Sequence, residues 1–307
     1  MNRHTPVSIT RGLSAWLILC LLAAVAAAAF VAACGGPGGG PSATPVATVT
    51  STPTPTASPS SPSPSTSPTA AATTLSLYFL RGEALGVAER QAPQTTMPAT
   101  AALEALLAGP TAAESAAGLA SAVPIGTRLL GLSIDGTAAR VDLSARFAAG
   151  GGSLSVQARV AQIVYTLTQF KTVETVAFML EGSAIDALGG EGLLLGEGQR
   201  RSDWRRFEPA IFIERPGVGA VLQSPFILEG TARVFEGSFW ARLADAGGEI
   251  ASATIQASRG APERGRFRTT ISFAATAPSG TLIVYSQSME DGSRQSEVRI
   301  PVRFSSD

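Results

Sequence analysis

Hydrophobic and polar positions divide the chain into three parts that differ in pattern. Residues 13–33 form an almost unbroken apolar run, residues 35–73 carry no charge, and periodic patterns begin at residue 74. The apolar run follows Arg3 and Arg11, and a positive segment before a short apolar stretch is typical of a secretory signal peptide. We therefore expect the folded part of the chain to begin near residue 74.

The pattern of residues 74–190 predicts a small α+β domain with helices on one face of a sheet. The apolar segment 75–80 predicts a strand, and the leucines that follow it recur at a helical period. Asp135-Gly136 predicts a hairpin turn, and Ser153 is predicted to cap a second helix. The predicted buried face of that helix consists of Val156, Val160, Ile163, Val164 and Leu167. The expected order is β-α-β-β-α-β, with strands at 75–80, 128–134, 137–144 and 176–180 and helices at 96–108 and 153–167.

Residues 208–307 show no helical period and predict a β-sandwich. Short strand-like runs are separated by turn signals such as Asp291-Gly292. In the last run apolar residues alternate with charged ones, so one face of that strand is expected to be buried. Residues 191–207 are interpreted as a linker between the two domains. The runs lie at 211–213, 220–222, 226–228, 239–243, 251–255, 267–273, 282–285 and 298–304.

The first cysteine after the apolar run predicts a lipid anchor. Ala32 and Ala33 precede Cys34, and this arrangement resembles the signal peptide of bacterial lipoproteins. The resemblance implies removal of residues 1–33 and attachment of lipid to Cys34, on the outer face of the cytoplasmic membrane. Residues 34–73 then form a tether, since 26 of the 39 residues after the cysteine are Pro, Ser or Thr. An uncleaved helix is the alternative, because an apolar run of 21 residues can cross a bilayer.

Charge and side-chain chemistry argue against catalysis and nucleic-acid binding. The chain has 23 basic and 23 acidic residues, so no net field draws it to nucleic acid. His4 is the only histidine, and Lys171 is the only lysine. No imidazole or thiol follows Cys34, which excludes Cys-His and Ser-His-Asp sites. Lys171 is interpreted as a solvated turn residue, and the sequence predicts no enzyme, no cofactor and no metal site.

Two groups of arginines are candidate contacts for an anion or a partner. A guanidinium can hold a phosphate or a carboxylate through two parallel hydrogen bonds. Each group also has a plainer interpretation. The group around Trp204 would pack and form salt bridges between the domains, and the group that begins at Arg264 would lie on the solvated face of the sandwich. The groups are Arg200, Arg201, Arg205 and Arg206 around Trp204, and Arg264, Arg266 and Arg268, which alternate along one strand.

Short motifs in both domains carry a family resemblance. They lie at 102–110, 123–127, 141–144 and 165–170 in the first domain, and at 224–226, 229–232, 234–236 and 291–293 in the second. The first set resembles the GerM-type sporulation and spore germination domain. The second set resembles the immunoglobulin-like domain of bacterial spore germination proteins, which commonly follows the GerM-type domain. The resemblance implies an envelope module that is linked to assembly and has no known catalytic residues.

These inferences together predict a non-enzymatic lipoprotein of the cell envelope. We expect it to bind or scaffold other extracytoplasmic proteins, with envelope proteins or a weak homo-oligomer as partners and no nucleic acid. The alternative is a binding module for an anionic cell-wall polymer that uses the arginine groups. The expected fold is an α+β domain, with a small sheet and two helices, followed by an all-β immunoglobulin-like sandwich.

Overall fold

A β-hairpin is the first element among the residues that the structure describes. The structure, a computed structural model, describes residues 72–190 and 192–305. The predicted signal peptide, Cys34 and almost all of the predicted tether lie outside the described residues. The hairpin strands β1 (Ala72–Arg81) and β2 (Ala84–Pro93) pair along their full length. No helix among the described residues is both long enough and apolar enough to cross a membrane.

Three helices and further strands complete the first module. They are α1 (Pro98–Leu107), α2 (Ala112–Ala116), β3 (Leu129–Asp135), β4 (Ala138–Leu143), α3 (Ser153–Leu167), β5 (Thr175–Leu180) and β6 (Ser183–Ala184). The sheet order is β3-β4-β5-β6, and β4 and β5 are parallel because α3 connects them. A short hairpin of β7 (Ala187–Leu188) and β8 (Leu193–Leu194) follows. The predicted α+β architecture is confirmed.

Three local predictions were wrong in detail. The expected order lacked β2, because small residues dilute the apolar alternation of that strand. Asp135 is the last residue of β3, so the turn consists of Gly136 and Thr137 instead of Asp135-Gly136. Gly136 adopts a φ of 57°, which glycine tolerates without steric cost. Helix α3 begins at Ser153 and its N-cap is Gly152, so the serine is the first helical residue and not the cap.

Helix α3 carries the core of the first module. Its predicted apolar face is fully or almost fully buried at every position, from Val156 to Leu167. A second line of side chains on this helix is polar and lies toward β1. Gln162 and Thr166 are fully buried, and Gln169 follows just beyond the helix end. Residues spaced by four and three positions lie on one face of a helix, so these three side chains point the same way.

The polar line of α3 binds the edge of β1 that does not face β2. The Gln169 side chain accepts from the Ser76 N–H at 2.9 Å and donates to the Ser76 carbonyl at 2.7 Å. Thr166 accepts from the Tyr78 N–H at 3.2 Å, and Gln162 donates to the Tyr78 carbonyl at 3.1 Å. Buried backbone groups need such partners. The helix therefore takes the place of a neighbouring strand at this edge.

The second module is a sandwich of two antiparallel sheets. Its strands are β9 (Ile211–Arg215), β10 (Val221–Leu222), β11 (Phe226–Ala232), β12 (Ser238–Asp245), β13 (Gly248–Gln256), β14 (Gly265–Ile271), β15 (Ser279–Gln287) and β16 (Arg294–Phe304). One sheet has the order β10-β16-β15-β12-β13, with β10 added in parallel, and the other has the order β14-β11-β9. The rings of Phe239 and Phe267 meet between the sheets, with centroids 4.9 Å apart. Each predicted run overlaps one of these strands, and the predicted β-sandwich is confirmed.

The segment between the modules folds against α3. Part of the predicted linker, Arg201–Phe207, forms a short 3-10 helix. Trp204 and Phe207 in this helix are buried, with 4% and 2% of their surface exposed. The two modules belong to one compact unit. The segment therefore works as part of the contact between the modules.

A buried ion pair ties β2 to α1 and α2. Arg90 and Glu114 form this pair at 2.5 Å, and the Glu114 side chain is only 6% exposed. Arg90 also donates to the carbonyls of Ala105 at 3.1 Å and Gly109 at 2.8 Å, near the end of α1. The Thr111 N–H donates to Glu114 at 2.7 Å. Burial raises the pKa of Glu114, but the hydrogen bonds from Arg90 and Thr111 outweigh it and lower the pKa below its usual value.

We expect Glu114→Gln to lower the free energy of unfolding by about 3 kcal/mol at neutral pH, because it leaves the half-buried Arg90 charge without its buried partner. The folded-state pKa of Glu114 lies below the unfolded-state pKa. Its contribution is therefore fully present above the unfolded-state pKa and is lost as pH falls through the folded-state pKa. Urea unfolding of wild type and variant should converge in acid. Glu104→Gln, an exposed carboxylate of α1, is the control, and a gap of constant size at every pH would contradict the ion-pair account.

Candidate functional site

The first module packs on the outer face of the smaller sheet of the sandwich. Ile211 and Ile213 of β9 are buried in the sandwich core, so Phe212 between them points outward. Phe212 is nevertheless only 1% exposed. Its ring centre lies 6.1 Å from that of Tyr78 and 6.0 Å from that of Tyr165, both in the first module. Phe212 on the outer face of β9 is therefore covered by the first module, while Arg266 and Arg268 on the outer face of β14 remain exposed.

Arg201 joins the modules through several contacts at once. It pairs with Glu214 of β9 and donates to Tyr78 Oη at 2.9 Å and to Thr168 Oγ1 at 2.8 Å. Its guanidinium lies 5.0 Å from the Tyr78 ring centre and 4.7 Å from the Tyr165 ring centre. Burial lowers the pKa of Arg201, but Tyr78 and Glu214 outweigh burial and the pKa is raised. Arg201 therefore keeps its charge inside the contact.

Glu208 makes a second polar link between the modules. Tyr165 Oη donates to its Oε1 at 2.6 Å, and Arg264 Nε lies 2.9 Å from its Oε2. Both partners of the ion pair are largely buried, with side chains 8% exposed for Glu208 and 13% for Arg264. Burial raises the pKa of Tyr165, and it raises the pKa of Tyr78 to about 12. Both phenols therefore remain neutral donors at physiological pH.

A backbone contact also joins the modules. The Glu89 N–H of β2 donates to the Val218 carbonyl at 2.8 Å, and the Val218 N–H donates to the Val87 carbonyl at 2.8 Å. A Cβ at the neighbouring Gly217 would lie 2.9 Å from the Glu89 nitrogen. Only glycine allows the two backbones to approach so closely. Side-chain and backbone contacts together fix the orientation of the modules.

A polar cleft of about 930 Å³ lies where the modules meet, beside the Arg201 and Glu208 networks. The outer face of β9, β11 and β14 forms one wall, and β1 with the end of α3 forms the other. Cationic side chains outnumber carboxylates in this cleft by seven to three, although the whole chain has equal numbers of basic and acidic residues. The cations are Lys171, Arg201, Arg205, Arg215, Arg264, Arg266 and Arg268, and the carboxylates are Glu208, Glu214 and Glu229.

The cations of the cleft fall into two classes. Arg201 and Arg264 have the partners described above, and Arg215 and Arg268 share the carboxylate of Glu229. The remaining three are exposed and form no ion pair with any residue in 72–190 or 192–305. These three are Lys171, Arg205 and Arg266. The cleft therefore carries positive charge that its own described carboxylates do not neutralise.

The structure brings together most of the arginines that the sequence singled out. The ones that line the cleft are Arg201, Arg205, Arg264, Arg266 and Arg268. The other candidates lie elsewhere. Trp204 is buried with the Arg206 guanidinium 5.6 Å from its ring centre, and Arg200 pairs with Glu174 at 3.7 Å on the surface.

Sequence reasoning missed two cations of the cleft. Lys171 was interpreted as a solvated turn residue, and it is indeed exposed, but it also lines the cleft. Arg215 ends β9 and was not singled out. Neither residue has a local signal, because Lys171 follows a helix of one module and Arg215 ends a strand of the other. Only the contact between the modules places them together.

The groups in the cleft can hold an anion. Two of its carboxylates are paired with Arg201 and Arg264, and its tyrosine is a neutral phenol. Among the described residues, no cluster of three or more His, Cys, Asp or Glu side chains could hold a metal ion. Fixed positive charge and hydrogen-bond donors are what the cleft offers a ligand.

Comparison with protein families identifies both modules. The family model Germane, described as sporulation and spore germination, matches residues 76–186. The family model for the immunoglobulin-like domain of bacterial spore germination matches residues 210–293. The chain carries one domain of each family. The resemblance drawn from the motifs is confirmed for both, and the modules are called the Germane domain and the immunoglobulin-like domain from here on.

Two solved structures from Bacillus subtilis are similar to this chain. The tandem GerMN domains of the sporulation protein GerM share 18% identity with it, at a TM-score of 0.39. That comparison covers 60% of this chain and 60% of the length of the tandem structure. The first GerMN domain of the same protein shares 20% identity over 43% of this chain and 99% of that chain, at a TM-score of 0.38. No curated protein matches the chain.

The Germane domain exposes a second surface at the edge of its sheet. β3 pairs with β4 on one side, and no other strand among the described residues pairs with its second side. Ile134 lies opposite the fully buried Ala139 of β4, yet it is 42% exposed. Leu130 on the same strand is 44% exposed. The apolar layer of the sheet therefore reaches its edge without a cover.

We expect Glu208→Gln to lower the free energy of unfolding by about 3 kcal/mol, because the amide cannot neutralise the buried Arg264 guanidinium. Urea unfolding measures the loss. Glu249→Gln is the matched control, since Glu249 pairs with Arg242 at 3.4 Å with both side chains more than 40% exposed. Breaking that surface pair should cost less than about 1 kcal/mol. Equal losses in both variants would show that the Glu208–Arg264 pair contributes no more than a surface ion pair.

Proposed function

We propose that this chain is a non-catalytic lipoprotein that scaffolds protein assembly on the extracytoplasmic face of the cell membrane. Both of its domain families are named for sporulation or spore germination. The predicted lipid on Cys34 and the tether of residues 34–73 support the location. The sequence has no histidine and no further cysteine after Cys34, which supports a role without nucleophilic catalysis.

The observation that carries the scaffolding role is the uncovered edge of β3. An exposed edge strand offers N–H and C=O groups with which a further strand can pair. A strand added here would also cover Ile134 and Leu130, so apolar burial would add to the backbone pairing. The register shift near Gly131 disturbs only the first part of β3, and residues 132–135 pair regularly with β4.

The occupant that we propose for this edge is β3 of a second copy. Arg128 precedes the strand, Asp135 ends it, and both are exposed. Antiparallel pairing of two β3 strands about a two-fold axis would set Arg128 of each copy near Asp135 of the other. Such a contact uses the same patch on both copies, and it gains two opposite-charge pairs.

With the proposed tether, a weak contact of this kind would be enough for copies to self-associate at the membrane. The predicted tether of residues 34–73 joins the predicted lipid to the described domains. Chains that share a membrane surface meet at a raised effective concentration without any new contact. Self-association through one short strand would therefore occur at the membrane and remain slight in dilute solution.

We expect Ile134→Lys to abolish self-association, because a charge at the edge of β3 opposes strand addition. The measurement is energy transfer between labelled copies of the lipidated full chain on liposomes. Ile227→Lys is the matched control, because Ile227 in β11 is 41% exposed and lies in the other domain. A wild-type signal no higher than random packing, or an equal loss in both variants, would leave only other proteins as partners.

We expect Cys34→Ser to release the protein from the membrane, because it removes the thiol that accepts the lipid. Fractionation of cells that express the full chain, with a high-salt wash of the membranes, measures retention. Cys20→Ser is the control and should leave retention unchanged. A Cys34→Ser variant that stays in the washed membranes would point to an uncleaved helix in place of a lipid anchor.

A further inference from the structure

The cleft between the two domains has a role that scaffolding through β3 does not use. We infer that it binds a linear polyanion, along the row of arginines on β14. The inference is independent of the proposed scaffolding, since no residue of β3 lines the cleft. It rests on three features of the cleft: its excess positive charge, the arrangement of that charge in a row, and the exposure of several of its cationic side chains to solvent.

The first feature is a concentration of like charge. Lys171, Arg205 and Arg266 add three positive charges to a cleft whose other cations already have carboxylate partners. Burial lowers the pKa of Arg264 most, Glu208 raises it, and the charges of Arg233 and Arg205 lower it further, so Arg205 adds a weak repulsion at Arg264. A bound anion would relieve this repulsion, and the field of the cleft would attract it.

The second feature is the geometry of the row. Arg266 and Arg268 lie on the same face of β14, where alternate residues recur at about 7 Å. Arg264 precedes them in the same alternation, next to the buried contact between the domains. β14 is the edge strand of its sheet, and Ser258 hydrogen-bonds the Arg266 backbone on its outer side, while the Arg266 and Arg268 side chains remain exposed. A row of this kind fits a chain of successive anionic groups better than it fits a single ion.

The third feature is that the cations of the cleft differ in how exposed they are. Arg201 and Arg264 are the least exposed of the paired arginines in the cleft, with side chains 29% and 13% exposed, and their carboxylate partners hold them at the contact between the domains. Arg215 and Arg268 are 58% and 62% exposed, and they share one carboxylate, Glu229. Exposed ion pairs contribute little, so an incoming anion can compete for these two arginines. The ligand would therefore first meet the exposed arginines, which we call the rim of the cleft. Arg201 and Arg264 would stay in their present ion pairs.

Phosphate and carboxylate groups share the chemistry that this row would recognise. A guanidinium can bind either of them through two parallel hydrogen bonds. The two sources are distinguished by two probes of comparable length, linear polyphosphate and poly-glutamate. Binding of each fluorescent probe to the full chain in detergent is followed by anisotropy as the salt concentration is raised.

The test variant combines Lys171→Gln, Arg205→Gln and Arg266→Gln. All three side chains are exposed and outside the ion pairs that hold the domains, so thermal unfolding should be unchanged. The matched control combines Arg140→Gln, Arg146→Gln and Arg303→Gln. These are also exposed, lie outside the cleft and remove the same net charge.

We expect the test variant to weaken binding of at least one probe by about tenfold or more and to reduce its salt dependence, because fewer contacts displace fewer counterions. The control should bind like wild type, and Ile134→Lys should also leave binding unchanged. Preference for one probe identifies phosphate or carboxylate as the group recognised. Failure of both probes to bind at low ionic strength, or equal weakening in test and control variants, would overturn the inference.

Discussion

The hydrogen bonds that α3 and Gln169 make to the edge of β1 fix the helix against the hairpin, and the contact between the two domains is built on this arrangement. A strand edge inside a core must find partners for its N–H and C=O groups. Here three polar side chains on one face of a helix supply them. The same helix presents Tyr165 and Thr168 to Arg201. The pairing that builds the Germane domain therefore also sets its contact with the immunoglobulin-like domain.

That contact explains why the cleft is cationic. Glu208 and Glu214 both take part in the contact between the domains: each pairs with a largely or partly buried arginine and accepts from a tyrosine of the Germane domain. Buried charges without such partners would be costly, so these carboxylates cannot serve other groups. Glu229 is the one remaining carboxylate among the residues that line the cleft, and two arginines already share it. The exposed cations of the cleft therefore lack carboxylate partners because the carboxylates that line it are already paired with other arginines.

The periodicity of apolar residues predicted most of the helices and strands, but it could not predict features that depend on tertiary contacts. Apolar alternation found the strands of the sandwich, and helical spacing found the buried face of α3. It missed β2, whose small residues give little contrast between the two faces of the strand. The replacement of a strand by Gln162, Thr166 and Gln169 has no local signal, because each bond joins groups more than 80 residues apart. Five of the arginines that the sequence singled out line the cleft, yet which of them are paired and which are exposed depends on carboxylates in other segments.

The two proposed surfaces would strengthen one another. A single cleft with a few exposed cations can bind a polyanion only weakly at physiological ionic strength. Copies joined through β3 would offer several clefts to one polymer, and the second and later contacts would form at a high effective concentration. By linkage, a polymer that binds assembled copies more tightly must also favour their assembly to the same extent. Because the edge of β3 and the row on β14 belong to different domains, this coupling needs no conformational change within a copy.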